Sequence, residues 1–260
     1  MMEAVRISSI RQGMPTPYCP GCEHGILLKL IARALEELGL VERAVMVGSV
    51  GCSSLAYEFL DVDYVQAPHG RAPALMTAIK LLEPDLTVFS VQGDGDAGGI
   101  GIGELISAAN RGVPITVLMY DNMVFGMTGG QMSPTTPMGM ATTTTPRGRG
   151  RGAEGPPIDV CDVLSSLEGP AYLRRVIIAP KPIKRGGNLS YSFKPVMDSY
   201  RAILSAFRAQ MKGGFSFVEF MGTCNVNWKM TVDDAKVYTH EVVSKVRPPR
   251  LCRDRLGVDA

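Results

Sequence analysis

Two carboxylates, an asparagine and a CxxC pair are the residues of this 260-residue chain whose types and spacing suit chemistry. In the string VQGDGDAGG, Gly93, Gly95 and Gly98 spell GxGxxG, which is open to a dinucleotide-binding reading. Asp94 and Asp96 weigh against it, because a pyrophosphate would meet two carboxylates. Unit charges ~4 Å apart repel by ~1 kcal/mol in bulk water and several-fold more in a partly buried site. A divalent cation removes the conflict, since Mg²⁺ takes hard oxygen ligands and joins a carboxylate to phosphates. Asp121-Asn122 supplies the second half of such a site. Asn122 has a neutral side-chain oxygen, and neighbouring carbonyls can complete a coordination sphere. The Gly- and hydroxyl-rich run 126–136 offers backbone N–H groups to phosphate. The plain alternative is a solvated Asp-Gly turn.

Of six cysteines, Cys19 and Cys22 form a CxxC, Cys52 lies in VGSVGCSS, and Cys161, Cys224 and Cys252 are isolated. A single CxxC is compatible with a redox dithiol, half a zinc site or two buried thiols. A zinc ribbon needs a second CxxC, and there is none. Thiolates from separate segments suit an iron–sulfur cluster. Cys161 sits in a helical pattern and reads as a small buried hydrophobe.

These residues need a scaffold. Apolar spacing predicts helices over 24–38, 72–83, 99–110, 159–168 and 195–211, with Pro73 near the start of the second. Short apolar runs predict strands at Ala44–Val50, Leu86–Gln92, Ile115–Tyr120, 172–178 and Phe215–Phe220. The alternation implies an α/β fold, a mostly parallel sheet with helices on both faces. Asp94 and Asn122 then follow neighbouring strands, where ligands bind in such folds. Residues 122–157 have no period, and a loop that long is often functional.

GDGD followed by Asp121-Asn122 resembles the thiamine-diphosphate motif. The full string DNMVFGMTGGQMSPTT resembles β subunits of the 2-oxoacid:ferredoxin oxidoreductases, over about residues 18–228. The resemblance implies a thiamine-diphosphate-binding fold in a single domain, 1–260. Within it lie a cluster-bearing segment 1–23, a cofactor-covering loop 122–157 and a cluster and interface tail 222–260. It implies Mg²⁺ on Asp94, Asn122 and the Val124 carbonyl. It implies thiamine diphosphate among Gly51, Ser53, Ser54, His69, Gly93, Asp94, Gly95, Asp96, Asn122, Val124, Gly126, Met127 and Thr128, with His69 and Thr128 as catalytic contacts. It implies one 4Fe–4S cluster on Cys19, Cys22, Cys52 and Cys224. Around the fourth ligand the family's Ser-Pro-Cys is Gly222-Thr223-Cys224 here, which makes Cys252 a rival. For Ser53, Ser54 and His69 the alternatives are capping and turn roles.

The implied reaction is oxidative decarboxylation of a 2-oxoacid with coenzyme A, giving an acyl-CoA and CO₂ with electrons leaving through the cluster. Implied partners are an α subunit carrying the pyrimidine-activating Glu, a small ferredoxin-like subunit, and ferredoxin or a similar acceptor. CPGCEHG, QAPHGRAPA, MTGGQMSPTTP and TTTTPRGR look closest to the branched-chain type, with 2-oxoglutarate and phenylglyoxylate types as alternatives. A Rossmann dehydrogenase and a non-catalytic iron–sulfur electron carrier are the competing classes.

Composition sets the outer limits. Hydrophobic residues are 45% and charged residues 20%, which excludes wholesale disorder. A net charge of +2 carries no whole-chain footprint for nucleic acid. No apolar run approaches the 18 or so residues of a membrane helix, and the start MMEAVR has no signal-peptide core, so a cytoplasmic location is expected. The tract PRGRGRG, with Arg147, Arg149 and Arg151, reads as a flexible basic loop meeting a partner subunit or the anionic part of coenzyme A.

Overall fold

The computed structural model describes residues 9–11, 13, 15–186 and 188–259; the rest of the expected N-terminal segment 1–23 lies outside them. In chain order the strands are β1 (Ala44–Gly48), β2 (Asp63–Gln66), β3 (Thr87–Gly93), β4 (Thr116–Asp121), β5 (Val124–Phe125), β6 (Gln131–Met132), β7 (Pro170–Ile177), β8 (Lys181–Arg185), β9 (Asn188–Ser192), β10 (Phe215–Met221) and β11 (Arg250–Asp254). The helices are α1 (His24–Glu37), α2 (Ala72–Leu82), α3 (Ile102–Asn110), α4 (Val160–Ser165), α5 (Lys194–Met211), α6 (Asn225–Trp228) and α7 (Val232–Tyr238).

Seven strands form one sheet in the order β11-β7-β10-β4-β3-β1-β2, parallel except for antiparallel β11. The strands read as continuous apolar runs because both faces are covered. Along β4, Leu118 and Tyr120 join the core under α1 and α5, while Val117 and Met119 join the core under α2, α3 and α4. The expected α/β architecture is therefore present, with each expected helix and strand found within a few residues of its predicted bounds.

Some elements departed from expectation. β2 is an edge strand whose residues are mostly exposed, so no apolar run marks it. β8 and β9 pair as a separate hairpin. Residues 122–157 are not uniformly irregular: β5 and β6 form a short hairpin. The start of the helix expected at 99 is a π turn, Asp96–Ile100, with α3 beginning after Gly101.

Candidate active site

The parallel register opens the carboxyl ends of β1, β3, β4 and β10 on one edge of the sheet. Gly93 stands beside Tyr120, and Asp121 beside Met221. The segments leaving these four ends carry Cys52, Asp94, Asn122 and Cys224 respectively. Ligands bind at such edges because loops, not strands, surround them.

A first cavity there is lined by Gly51, Ser53, His69, Gly93, Asp94, Gly95, Asp96, Asn122, Val124, Gly126, Met127 and Thr128, so all but one of the expected cofactor contacts surround one space. The exception is Ser54, whose hydroxyl donates to the Gly51 carbonyl at 2.8 Å and does not line the cavity. Gly51, at φ 103°, and Gly93 have nothing within 4 Å of a would-be Cβ. A side chain at either position would project into this space. Ser53 Oγ is buried with no hydrogen-bond partner.

Asp94 is 3% exposed, and its Oδ2 accepts from Ser133 Oγ at 2.6 Å and Thr135 Oγ1 at 2.9 Å. Burial, and then the neighbouring Asp121, push its carboxyl up to about 8. A carboxylate with so little solvent fits a site that a cation completes. Asn122 is held in a tight turn. Asp121 Oδ1 accepts from Met123 N at 3.0 Å, Asn122 Oδ1 accepts from Val124 N at 3.3 Å, and Met123 has φ 64°. Positive φ is uncommon for a residue with a side chain and is held here by the surrounding bonds. This donor set of one carboxylate, one amide oxygen and nearby carbonyls suits Mg²⁺ bound with phosphate.

Asp96 has a different task. Its Oδ1 accepts from Gly70 N at 2.9 Å and Val50 N at 3.4 Å and lies 2.5 Å from His69 Nδ1, while its Oδ2 accepts from Gln92. It braces three loops and leaves His69, whose side chain is 35% exposed, at the cavity wall. Thr128 Oγ1 donates to Gln131 at 2.8 Å.

Sequence reasoning missed the residues that hold this turn and its loop. Thr135 Oγ1 bridges Asp94 and Asp121, at 2.9 and 2.8 Å. Arg247, from the segment before β11, donates to Asp121 at 3.0 Å and to Glu219 at 3.2 Å; Glu219 also accepts from Arg175 at 2.8 Å. Arg149 corrects the expected flexible tract. It is 6% exposed and donates to the carbonyls of Ser133, Pro134, Thr136, Glu154, Gly155 and Pro156. It is the buried centre of the loop that supplies Ser133 and Thr135.

A second cavity adjoins the first, and Cys19, Cys22, Cys52 and Cys224 all line it. His24, Cys52, Asn122, Gly126 and Met127 belong to both walls. At Gly126 a Cβ would stand 3.5 Å from Cys52 Sγ, 3.7 Å from Cys224 Sγ and 3.4 Å from Asn122 Nδ2. Among the described residues no three His, Cys, Asp or Glu side chains close on a single ion. A zinc site needs its sulfurs roughly 2.3 Å from one metal. Four thiols around a cavity fit a larger polynuclear group instead. Burial raises Cys22 to about 12 and Cys52 to about 11, so bare thiols here stay protonated. Cys252 is elsewhere: it packs on the other core, with Cys161. At Gly222 the departure has a steric reason, because a Cβ there would meet the Tyr120 hydroxyl, and at Thr223 the backbone N–H is needed as a donor to Glu23.

Residues 49–184 match the family described as the thiamine pyrophosphate enzyme C-terminal TPP binding domain. The 2-oxoglutarate synthase subunit KorB of Archaeoglobus fulgidus is 33% identical over 85% of this chain and 74% of its own length. The chain belongs to the thiamine-diphosphate-binding subunits of the 2-oxoacid:ferredoxin oxidoreductase family. The ketoisovalerate oxidoreductase subunit VorA of Methanothermobacter thermautotrophicus is 43% identical over 92% of the chain, which spans only 48% of that relative. The 2-oxoglutarate:ferredoxin oxidoreductase of Magnetococcus marinus, solved with 2-oxoglutarate, coenzyme A and succinyl-CoA, superposes with TM-score 0.74 and 28% identity, over 93% of this chain and 74% of that one. For this family subunit, no described helix is long and apolar enough to cross a membrane.

Proposed function

We propose that this chain holds Mg²⁺–thiamine diphosphate in the first cavity and one 4Fe–4S cluster in the second. In a multi-subunit cytoplasmic complex it would convert a 2-oxoacid and coenzyme A to an acyl-CoA and CO₂, with two electrons leaving through the cluster to ferredoxin or a similar acceptor. The observation that carries this reading is the shared wall: His24, Cys52, Asn122, Gly126 and Met127 border both cavities. A thiamine site next to four thiols is useful only if electrons leave the substrate.

Thiamine diphosphate, when bound, supplies the electron sink that lets CO₂ depart. The chain's own residues do the rest. Asp94 offers the anionic ligand to Mg²⁺, and the Asn122 amide oxygen and Val124 carbonyl offer neutral ones. Gly51 and Gly93 leave room for the diphosphate, and the unpartnered Ser53 hydroxyl has a hydrogen bond to give. His69 and Thr128 stand at the wall as polar contacts for cofactor or substrate. Cys19, Cys22, Cys52 and Cys224 ligate the cluster as thiolates.

The carboxylates on the first cavity's wall are Asp94 and Asp96, and both are committed. Glu23, Glu58 and Glu104 do not line it. This supports an activating Glu supplied by an α subunit across the interface, with a small ferredoxin-like subunit carrying electrons onward. The VorA name of a 43% identical relative supports a branched-chain 2-oxoacid. The Rossmann reading is weakened at Gly95, where the Phe125 ring already fills the turn, 2.0 Å from a would-be Cβ. The test is anaerobic activity of the purified complex on a panel of 2-oxoacids with coenzyme A and a viologen acceptor. Branched-chain substrates should turn over fastest; no coenzyme-A-dependent viologen reduction with any 2-oxoacid would overturn the reading.

A further inference from the structure

Two cysteines have no part in the cluster cavity. Cys161 is fully buried on α4, and Cys252 is partly exposed on β11. The pairing of β11 with β7 is interrupted at Cys252. Leu251 pairs with Arg174 and Arg253 with Leu173, so Cys252 is the extra residue of a bulge. A bulge re-aims its side chain, and Cys252 is turned onto the core that contains Cys161. The flanking residues tie the strand to the helix on both sides of it. Arg250 pairs with Asp162, and Arg253 donates to the carbonyls of Ser165 at 2.7 Å and Leu167 at 2.5 Å. Asp162, which pairs with Arg250, is the neighbour of Cys161 on α4, so the two cysteines stand at one helix–strand contact and share one core. The neighbouring Cys161 thiol, then the guanidiniums of Arg250 and Arg175, push the Cys252 thiol below its ordinary value against the effect of burial. Nearby cations and a thiol donor are the setting in which a cysteine becomes a nucleophile.

We propose that Cys161 and Cys252 form a two-thiol modification site that closes to a disulfide on meeting a hydroperoxide. The Cys252 thiolate attacks one peroxide oxygen. An S–O bond forms, the O–O bond breaks, and the departing hydroxide takes a proton to become water. The Cys161 thiol then loses its proton and attacks the Cys252 sulfur, forming S–S and expelling the second oxygen as water. The two thiols lose two electrons together, and hydrogen peroxide is reduced to two waters. A dithiol reductant reverses the step by exchange. Access favours this order, since Cys252 is partly exposed and Cys161 is enclosed. The bond would pin β11 to α4. Both adjoin the network at Asp121: Arg247 lies just before β11, and Asp159, the N-cap of α4, binds Arg175.

The test uses the anaerobically purified chain, treated with one equivalent of hydrogen peroxide, acid-quenched, alkylated and digested with trypsin. The expected product is peptide 152–174 linked to peptide 251–253, released by dithiothreitol. In Cys161→Ala the link should vanish and Cys252 should appear as sulfenic acid, trapped by dimedone added with the peroxide. In Cys252→Ser, Cys161 should stay reduced. Without peroxide, iodoacetamide at pH 7 should modify Cys252 at least tenfold faster than Cys161. Recovery of Cys161 and Cys252 both as alkylated thiols, or of Cys252 linked to Cys19, Cys22, Cys52 or Cys224, would overturn the proposal. These peptides are distinct from those of the cluster cysteines, so damage to a cluster cannot mimic the result.

Discussion

Glu23 Oε2 accepts a hydrogen bond from the backbone N–H of Thr223 at 2.8 Å and another from its hydroxyl at 2.9 Å. The buried Tyr120 hydroxyl donates to the same oxygen at 3.0 Å. Glu23 follows Cys22 and Thr223 precedes Cys224, so one carboxylate ties two cysteine-bearing segments from opposite ends of the chain to β4. Glu23→Leu strands the buried Thr223 amide and leaves the Tyr120 and Thr223 hydroxyls only the carbonyls of Thr223 and Gly21, at 3.1 and 3.4 Å, so it should cost roughly 2 kcal/mol. Glu23→Gln keeps one acceptor and should cost less. Denaturant unfolding reads the stability. Iron content should fall with the Leu variant, because the spacing of Cys22 and Cys224 is lost.

His24 lies between Tyr18 and Tyr120, with ring centroids 4.9 and 3.7 Å away, and its Nδ1 is 3.1 Å from Cys22 Sγ. A cluster-ligating Cys22 has no proton, so Nδ1 must be the donor and the unpartnered Nε2 the acceptor. Hydrogen bonds to ligand sulfur set cluster potentials. His24→Leu should move the cluster midpoint to more negative potential. His24→Asn, whose amide N–H can reach the place of Nδ1, should stay near the parent value. The measurement is a redox titration followed by paramagnetic resonance. Equal potentials in parent and Leu variant, at full iron content, would mean that His24 gives the cluster no hydrogen bond.

Arg149 converts a run of loop carbonyls into a fixed surface behind Asp94. Arg149→Met removes a donor from six carbonyls, of which only those of Ser133 and Pro134 keep a backbone donor among the described residues, and should cost roughly 3 kcal/mol. Amide exchange over 133–156 should accelerate, and thiamine diphosphate affinity should drop. Unchanged exchange there would mean that the loop is held by something else.

Asp159 accepts from Asp162 N at 3.0 Å as the N-cap of α4 and also pairs with Arg175. Burial raises its pKa, but the Arg175 hydrogen bond and the cap together bring the net shift below the ordinary value of 3.8. A depressed carboxylate stabilises the fold above its unfolded pKa, and that stability is lost as pH falls through the folded pKa. Asp159→Asn keeps a capping oxygen and loses the charge. It should be about 1 kcal/mol less stable at neutral pH, the side chain being 30% exposed. The difference between the two proteins should shrink once pH falls below 3.8. Thermal unfolding at several pH values measures it.

The residues gathered at the strand ends were legible because their signals are local. GDGD, Asp121-Asn122 and the CxxC each occupy a few adjacent residues beside an apolar run, and the sheet brings those runs together in register. What surrounds them was not. Thr135, Arg247 and Glu23 act across separations of 14, 126 and 200 residues, and nothing near them in sequence marks their partners. β2 and β11 are edge strands with polar faces, so periodicity passed over them. Cys252 could rival Cys224 only while β11 was unseen. Once paired to β7, it belongs to the core beneath α4. The Arg-Gly tract misled because composition reports exposure on average, and Arg149 is the buried exception.

In the proposed function, Asp94 and Asn122 grip a metal–diphosphate while four cysteines hold a cluster across a common wall. The decisive experiment is cofactor content of the anaerobically purified protein. Thiamine diphosphate and iron are assayed together in the parent, in Asp94→Ala and in Asn122→Ala. The parent should carry both. Asp94→Ala should lose thiamine diphosphate and keep its iron, since the anionic ligand to the bridging metal is gone while the thiols are intact. Asn122→Ala should weaken cofactor binding less, because a neutral oxygen compensates less charge. Asp94→Ala that retained stoichiometric thiamine diphosphate, or a parent protein without iron, would overturn the proposed function.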